Sequence, residues 1–130
     1  MRLLLICLGG AVGTGARYLI GGLVARWLGS EFPYGTFFIN VLGSFLIGFV
    51  QQVGLTTLAI PETTRLVLTI GVMGGFTTYS SFSYETISLI ENGSWLGAAA
   101  NVVLTTGLCL VVCVLGLTLG RVVVGWKGGL

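Results

Sequence analysis

The sequence predicts an all-α membrane protein of four transmembrane helices, the third broken near mid-membrane. Three observations carry that expectation. Hydrophobic residues make up 55% of the chain and charged residues only 8%, against about 25% charged in soluble domains. The apolar residues fall into four blocks separated by short turn-rich stretches. A bilayer crossing takes roughly 20 helical residues, so the 130-residue chain forms one domain with room for four.

The first block covers residues 3–28 and ends at "GSEFPYG", where Ser30, Glu31, Pro33 and Gly35 supply turn chemistry. The start "MRLLLICLGG" has signal-peptide features. The apolar run continues through "ARYLIGGLVARWLG" with no soluble segment after it, so we expect the block to be retained as a helix. Gly9 and Gly13 form a GxxxG pair, which lets helix backbones approach closely.

The second block covers residues 36–58. Pro61 and Glu62 then suit a helix start, since proline is tolerated in the first turn and acid favours that end. The third block runs over residues 62–90, with a break expected near 74–78 because Gly74-Gly75 weakens the helix there. The loop "ENGS" leads to the fourth block, residues 95–124. Trp27, Trp95 and Trp126 stand at block edges, where interfacial aromatics belong.

Several classes are excluded at once. The chain has no histidine, which removes Ser-His and Cys-His catalysis. Cys7, Cys109 and Cys113 have no zinc-finger spacing and read as apolar fillers. The net charge of +2 gives no footprint for nucleic acid. With four crossings, Arg2, Arg65, Arg121 and Lys127 share one side and Arg26 takes the other. The positive-inside rule then mildly favours cytoplasmic termini without forbidding insertion both ways.

Two polar stripes run at a spacing of four: Thr36, Asn40, Ser44 and Gly48 in the second block, and Asn101, Thr105, Cys109 and Cys113 in the fourth. Such spacing places each set on one helix face. Either the stripes pair as interhelical glue or they line a narrow wet path. The third block adds "GGFTTYSSFSYE", residues 74–85, in which hydroxyls and aromatic rings follow the glycines. A broken helix frees backbone groups, and these are tolerated in a membrane only where they bind something or face a cavity. Arg17 and Glu85 are the charges deepest inside the blocks; an ion pair between them, or a wet vestibule holding Arg17, are the two readings.

The stretch "GGFTTYSSFSYE" closely resembles the third-helix signature of the Fluc fluoride channels, the CrcB family, usually G-G-x-T-T-F-S-T-F-S-x-E. "GGAVGTGARY" resembles the family's glycine-rich first-helix segment with its arginine, and "YGTFFINVLGSFLIG" its second-helix G-T-x-x-x-N-x-x-G segment. The resemblance implies an antiparallel, dual-topology homodimer in the inner cell membrane that passively exports fluoride through two pores, with a sodium ion buried at its centre. It assigns Asn40, Thr78, Tyr79, Ser80, Ser81, Phe82 and Thr105 to the fluoride path, and the carbonyls of Gly74 and Thr77 to sodium. Tyr79 stands where the family usually has phenylalanine, and Ser81 where it has threonine. Asn101 and Cys109 stand where a hydroxyl is more typical.

The physics of the residues agrees. Fluoride is small and strongly hydrated, so a pore must replace its water without holding it too tightly. Neutral donors such as Asn40, Ser80 and Ser81 suit that task. The alternative is a small multidrug-type proton-coupled cation exporter, which needs a titratable carboxylate in its first helix; the first block has Arg17 and no acid. An enzyme has no nucleophile, base and metal set to draw on.

Overall fold

A computed structural model describes residues 1–56 and 60–128. Residue 58, the expected end of the second block, lies outside the described residues. The described chain is all-helical: α1 (Arg2–Leu28), α2 (Tyr34–Thr56), α3 (62–76), α4 (Tyr79–Glu91) and α5 (Trp95–Gly128). α1, α2 and α5 are long and apolar enough to cross a membrane. The last runs past residue 124, where the apolar block fades; no proline follows Arg121, and the single Gly125 does not interrupt the helix.

α3 is a composite rod. Glu62–Leu66 is α-helical, Val67–Met73 winds as a π-helix and Gly74–Phe76 returns to α geometry. The backbone stays helical across both junctions, at Val67 and at Gly74. It leaves the helix only at Thr77 (φ −80°, ψ 156°) and Thr78 (φ −151°, ψ 108°), which are extended. The discontinuity therefore falls at Thr77-Thr78, not at the Gly74-Gly75 pair that suggested it.

The glycines do other work. α1 and α3 run side by side in the same direction, as shown by Arg2 meeting Glu62 at 3.5 Å at one end and Arg17 meeting Thr77 at the other. Between those points the backbones nearly touch. A Cβ on Gly71 would lie 2.7 Å from the Ile6 carbonyl oxygen, and one on Gly75 would run into the Gly10 carbonyl. A Cβ on Gly13 would strike the Val72 carbonyl and come within 2.9 Å of the Phe76 nitrogen. Small residues at the seam substitute for a hydrophobic drive that lipid does not provide.

α2 and α5 form the other close pair and the most extensive contact in the bundle. Gly48 faces the Cys113 carbonyl and Gly116 faces the Phe45 carbonyl, so these helices also meet backbone to backbone. α2 runs antiparallel to α3, with Asn40 at Thr78 and Gln51 at Arg65. α4 runs antiparallel to α5, with Thr86 at Asn101. The result is an up-down-up-down arrangement in which α3 and α4 act in tandem.

The α1–α3 seam gives a testable expectation. Gly13→Ala should destabilise the protein by about 1–3 kcal/mol, the usual cost of overpacking a close contact. Gly15→Ala, where an added Cβ meets nothing within 4 Å, should leave stability unchanged or slightly raised. Thermal unfolding of the two variants in detergent checks the difference.

Candidate functional site

The break at Thr77-Thr78 sits at the meeting point of two clefts, and Thr78 lines both. Its backbone is satisfied by a side chain from α2. The Thr78 N–H donates to Asn40 Oδ1 at 2.8 Å, and Asn40 Nδ2 donates to the Thr78 carbonyl at 3.1 Å. Asn40 is 8% exposed. Its carboxamide offers one acceptor face and two donor hydrogens, so it imitates a neighbouring strand and keeps one N–H spare.

The remaining groups at the break are handled locally. The Thr77 N–H and hydroxyl both donate to the Met73 carbonyl, at 3.0 and 2.9 Å. Arg17 Nη1 donates to the Thr77 carbonyl at 3.4 Å. Thr78 caps α4: its hydroxyl oxygen accepts the Ser81 N–H at 3.2 Å and its hydrogen goes to Ser81 Oγ at 3.0 Å. A threonine N-cap explains why α4 restarts at once, at Tyr79. In an unbroken helix the Thr78 N–H would serve the Gly74 carbonyl. Its diversion to Asn40 leaves that carbonyl without its i+4 donor.

The wider cleft has a volume of about 860 Å³. Arg17, Thr36, Ser81 and Glu85 line it together with Thr78. Arg17 and Glu85 make no ion pair: Arg17 holds the Thr77 carbonyl, and Glu85 Oε1 accepts the Thr36 hydroxyl at 2.8 Å. The ion-pair reading is thus set aside; Arg17 lines the wider cleft. Glu85 Oε2 is buried without a partner.

The narrower cleft measures about 380 Å³. It gathers Asn40, Gly74, Thr77, Tyr79, Phe82 and Thr105 with Thr78. The rings of Tyr79 and Phe82 stand 5.5 Å apart, tilted by 48°. Phe82 is buried while Tyr79 is 80% exposed. No Lys, Arg, Asp or Glu lines this cleft. Seven of the sequence-selected site residues therefore converge here, and Ser81, Arg17 and Glu85 join Thr78 on the other side. Ser80 lines neither cleft; it is exposed and its hydroxyl lies 3.3 Å from that of Thr78.

The two polar stripes touch where Gly48 packs on the Cys113 backbone, but their asparagines do not bond each other. Each asparagine bonds the third segment instead. Asn101, 1% exposed, donates to Thr86 Oγ1 at 2.9 Å and accepts from Thr105 Oγ1 at 3.1 Å. Thr86 in turn donates to the Phe82 carbonyl at 2.7 Å. Thr86 is the residue that sequence reading missed. Its signal was present: it follows Phe82 by four positions and so lies on the ring's own helix face.

Among the described residues no group of His, Cys, Asp or Glu is arranged to hold a metal ion. Fold and site together define a small helical membrane protein whose polar centre is a broken helix. The family described as CrcB-like protein, Camphor Resistance (CrcB), matches residues 4–117, and the chain belongs to that family. It is 53% identical over 110 residues to the fluoride-specific ion channel FluC of Anaeromyxobacter sp. (strain K), covering 85% of this chain and 87% of the relative. The FluC of Sorangium cellulosum (strain So ce56) is 51% identical over 116 residues, covering 89% and 91%. That of Geobacter metallireducens is 46% identical over 121 residues, covering 93% and 98%.

The Asn40–Thr78 pair can be tested for its structural share. Asn40→Leu should lower stability by about 1–3 kcal/mol, since it strands a buried N–H and a buried C=O. Unfolding in detergent measures it, and a wild-type midpoint would show that water satisfies the break unaided.

Proposed function

We propose that this chain is a fluoride-specific channel that lets the ion leave the cell passively. The observation that carries the reading is the break at Thr77-Thr78. Neutral hydroxyls, an amide and two ring edges converge there, between two clefts, with no lysine in the narrower one. Its relatives named as fluoride-specific ion channels support it.

In this reading α1, α2, the α3–α4 tandem and α5 each cross the inner membrane. Two copies pack in opposite directions. Gly74, Tyr79 and Ser80 are exposed in the single chain, and polar backbone beside lipid is untenable. A second copy set against that face covers it. Fluoride collects in the wider cleft near Arg17, then passes Thr78 and Ser81, with Ser80 behind the Thr78 hydroxyl at 3.3 Å. It then meets Asn40, Thr105 and the edges of Tyr79 and Phe82, which carry partial positive charge. Sodium fits the same region. The Gly74 carbonyl lacks its helical donor, and the Thr77 carbonyl has a second lone pair beyond the one Arg17 engages. Two neutral oxygens from each of two copies would hold a small cation at the junction; when bound, it supplies fixed positive charge there. A cation exporter of the multidrug type finds no support, because α1 contains no carboxylate.

Liposomes loaded with potassium fluoride test the reading. Wild-type protein should release fluoride rapidly once valinomycin is added, and chloride-loaded vesicles should stay full. Retention of fluoride would overturn the assignment. Asn40→Asp should reduce efflux to that of protein-free vesicles, because it removes the donor on Thr78 and places negative charge on the path. Phe82→Ile should slow efflux by up to about tenfold, the worth of one lost aromatic-edge contact, while size-exclusion still shows an intact dimer.

A further inference from the structure

The narrower cleft holds one donor that stands apart from the rest. Each hydroxyl has a single hydrogen to give. Thr77 gives its hydrogen to the Met73 carbonyl, Thr78 to Ser81 Oγ, Thr69 to the Arg65 carbonyl and Thr105 to Asn101. The hydroxyls on the cleft wall are therefore largely committed to the protein itself.

Tyr79 is the exception at the break. It is the first residue of α4, it lines the cleft beside Asn40 and Thr105, and it is 80% exposed. Its phenolic oxygen makes no hydrogen bond with any described residue of the single chain, so its partner is either the ion or the second copy that covers this face. Ser44 and Thr106 also keep their hydrogens, but they stand on α2 and α5 rather than at the break. A phenol is also a better hydrogen-bond donor than an aliphatic alcohol, because its ring draws electron density from the oxygen. It is thus the strongest uncharged hydroxyl donor in the cleft. A phenol at membrane depth needs a partner, and the cleft offers room for an ion.

We propose that the Tyr79 hydroxyl donates a hydrogen bond to the anion in the narrower cleft and sets its affinity there. The inference rests on the fluoride reading and deepens it. Among the halides, fluoride is the strongest hydrogen-bond acceptor, so it gains most from a strong donor. The ring keeps its place beside Phe82 whether or not the hydroxyl is present, so the two contributions are separable.

The experiment compares three side chains at position 79 in fluoride-efflux assays: tyrosine, Tyr79→Phe and a 3-fluorotyrosine incorporated at Tyr79. Fluorination makes the phenol a stronger donor. The half-saturating fluoride concentration should rise about tenfold in Tyr79→Phe, the scale of one hydrogen bond to a charged group. It should fall below wild type in the fluorotyrosine protein. The ¹⁹F resonance of that residue should shift on titration with sodium fluoride and stay put with sodium chloride. Equal half-saturation in tyrosine and phenylalanine proteins, beside normal wild-type efflux, overturns the inference and leaves the channel reading standing. If Tyr79→Phe fails to assemble, the fluorotyrosine protein decides: a ¹⁹F signal indifferent to fluoride means the hydroxyl serves a protein neighbour instead. Absence of fluoride efflux in the wild type removes the channel reading and this inference together.

Discussion

A break in a helix packed inside a bundle is tolerable only when its freed backbone groups find partners, and Asn40 provides two of them at once. Unpaired amide groups in a low-polarity interior cost several kcal/mol each. The side-chain amide of Asn40 takes the Thr78 N–H and supplies the Thr78 C=O, much as an adjacent strand would. That single pairing fixes α2 against the third segment. It also sets the position of Thr78, whose hydroxyl caps α4 and orients Ser81. The polar side chains at the centre are therefore positioned by backbone satisfaction.

The break would not hold its shape without a stiff frame around it. α1 seats against α3 through Gly9, Gly13, Gly71 and Gly75, and α2 seats against α5 through Gly48 and Gly116. Gly43 brings α2 against Phe76 and Thr77, at the very end of α3. Each close approach has a carbonyl, a ring or a methyl on the far side, so the helices cannot slide without collision. Packing of this kind suits a site that must be preformed, because reorganisation after an ion arrives costs selectivity.

Much of this was legible in the sequence, and for reasons that can be traced. Block lengths and turn residues located the helices because hydropathy and Gly/Pro punctuation are local signals. Asn40 was legible because a carboxamide on an otherwise apolar helix needs a partner. Its role was not: the spacing of four suggested a stripe matched to another stripe, whereas the partner is backbone on a third element. The observed break at Thr77-Thr78 lies within the expected 74–78, although the glycine pair that suggested it stays helical. Glycine signals both weak helices and close packing, and only the neighbouring α1 decides between them. Thr86 and the Asn101 network were hidden for a related cause, since a threonine inside an apolar run is compatible with bonding its own helix. The fate of Arg17 depended on where the break fell, and that was fixed by tertiary contacts.

The separation of charge from the narrow cleft has a physical logic under the channel reading. Arg17 carries a full charge on the wider cleft, where solvent screens it and an arriving anion is drawn without being trapped. Its hold on the Thr77 carbonyl keeps it at the threshold. The narrower cleft has no full charge and instead presents dipoles: the spare amide N–H of Asn40, ring edges and the few hydroxyls, such as that of Tyr79, whose hydrogens the protein does not use. In a confined space of low polarity a full charge would bind an anion too strongly to release it. Dipoles from several side chains can replace a hydration shell while each contributes only a modest share. A gradient from one screened charge to many neutral donors lets a strongly hydrated ion enter, shed water and leave, and the broken helix is the feature that brings those donors to one place.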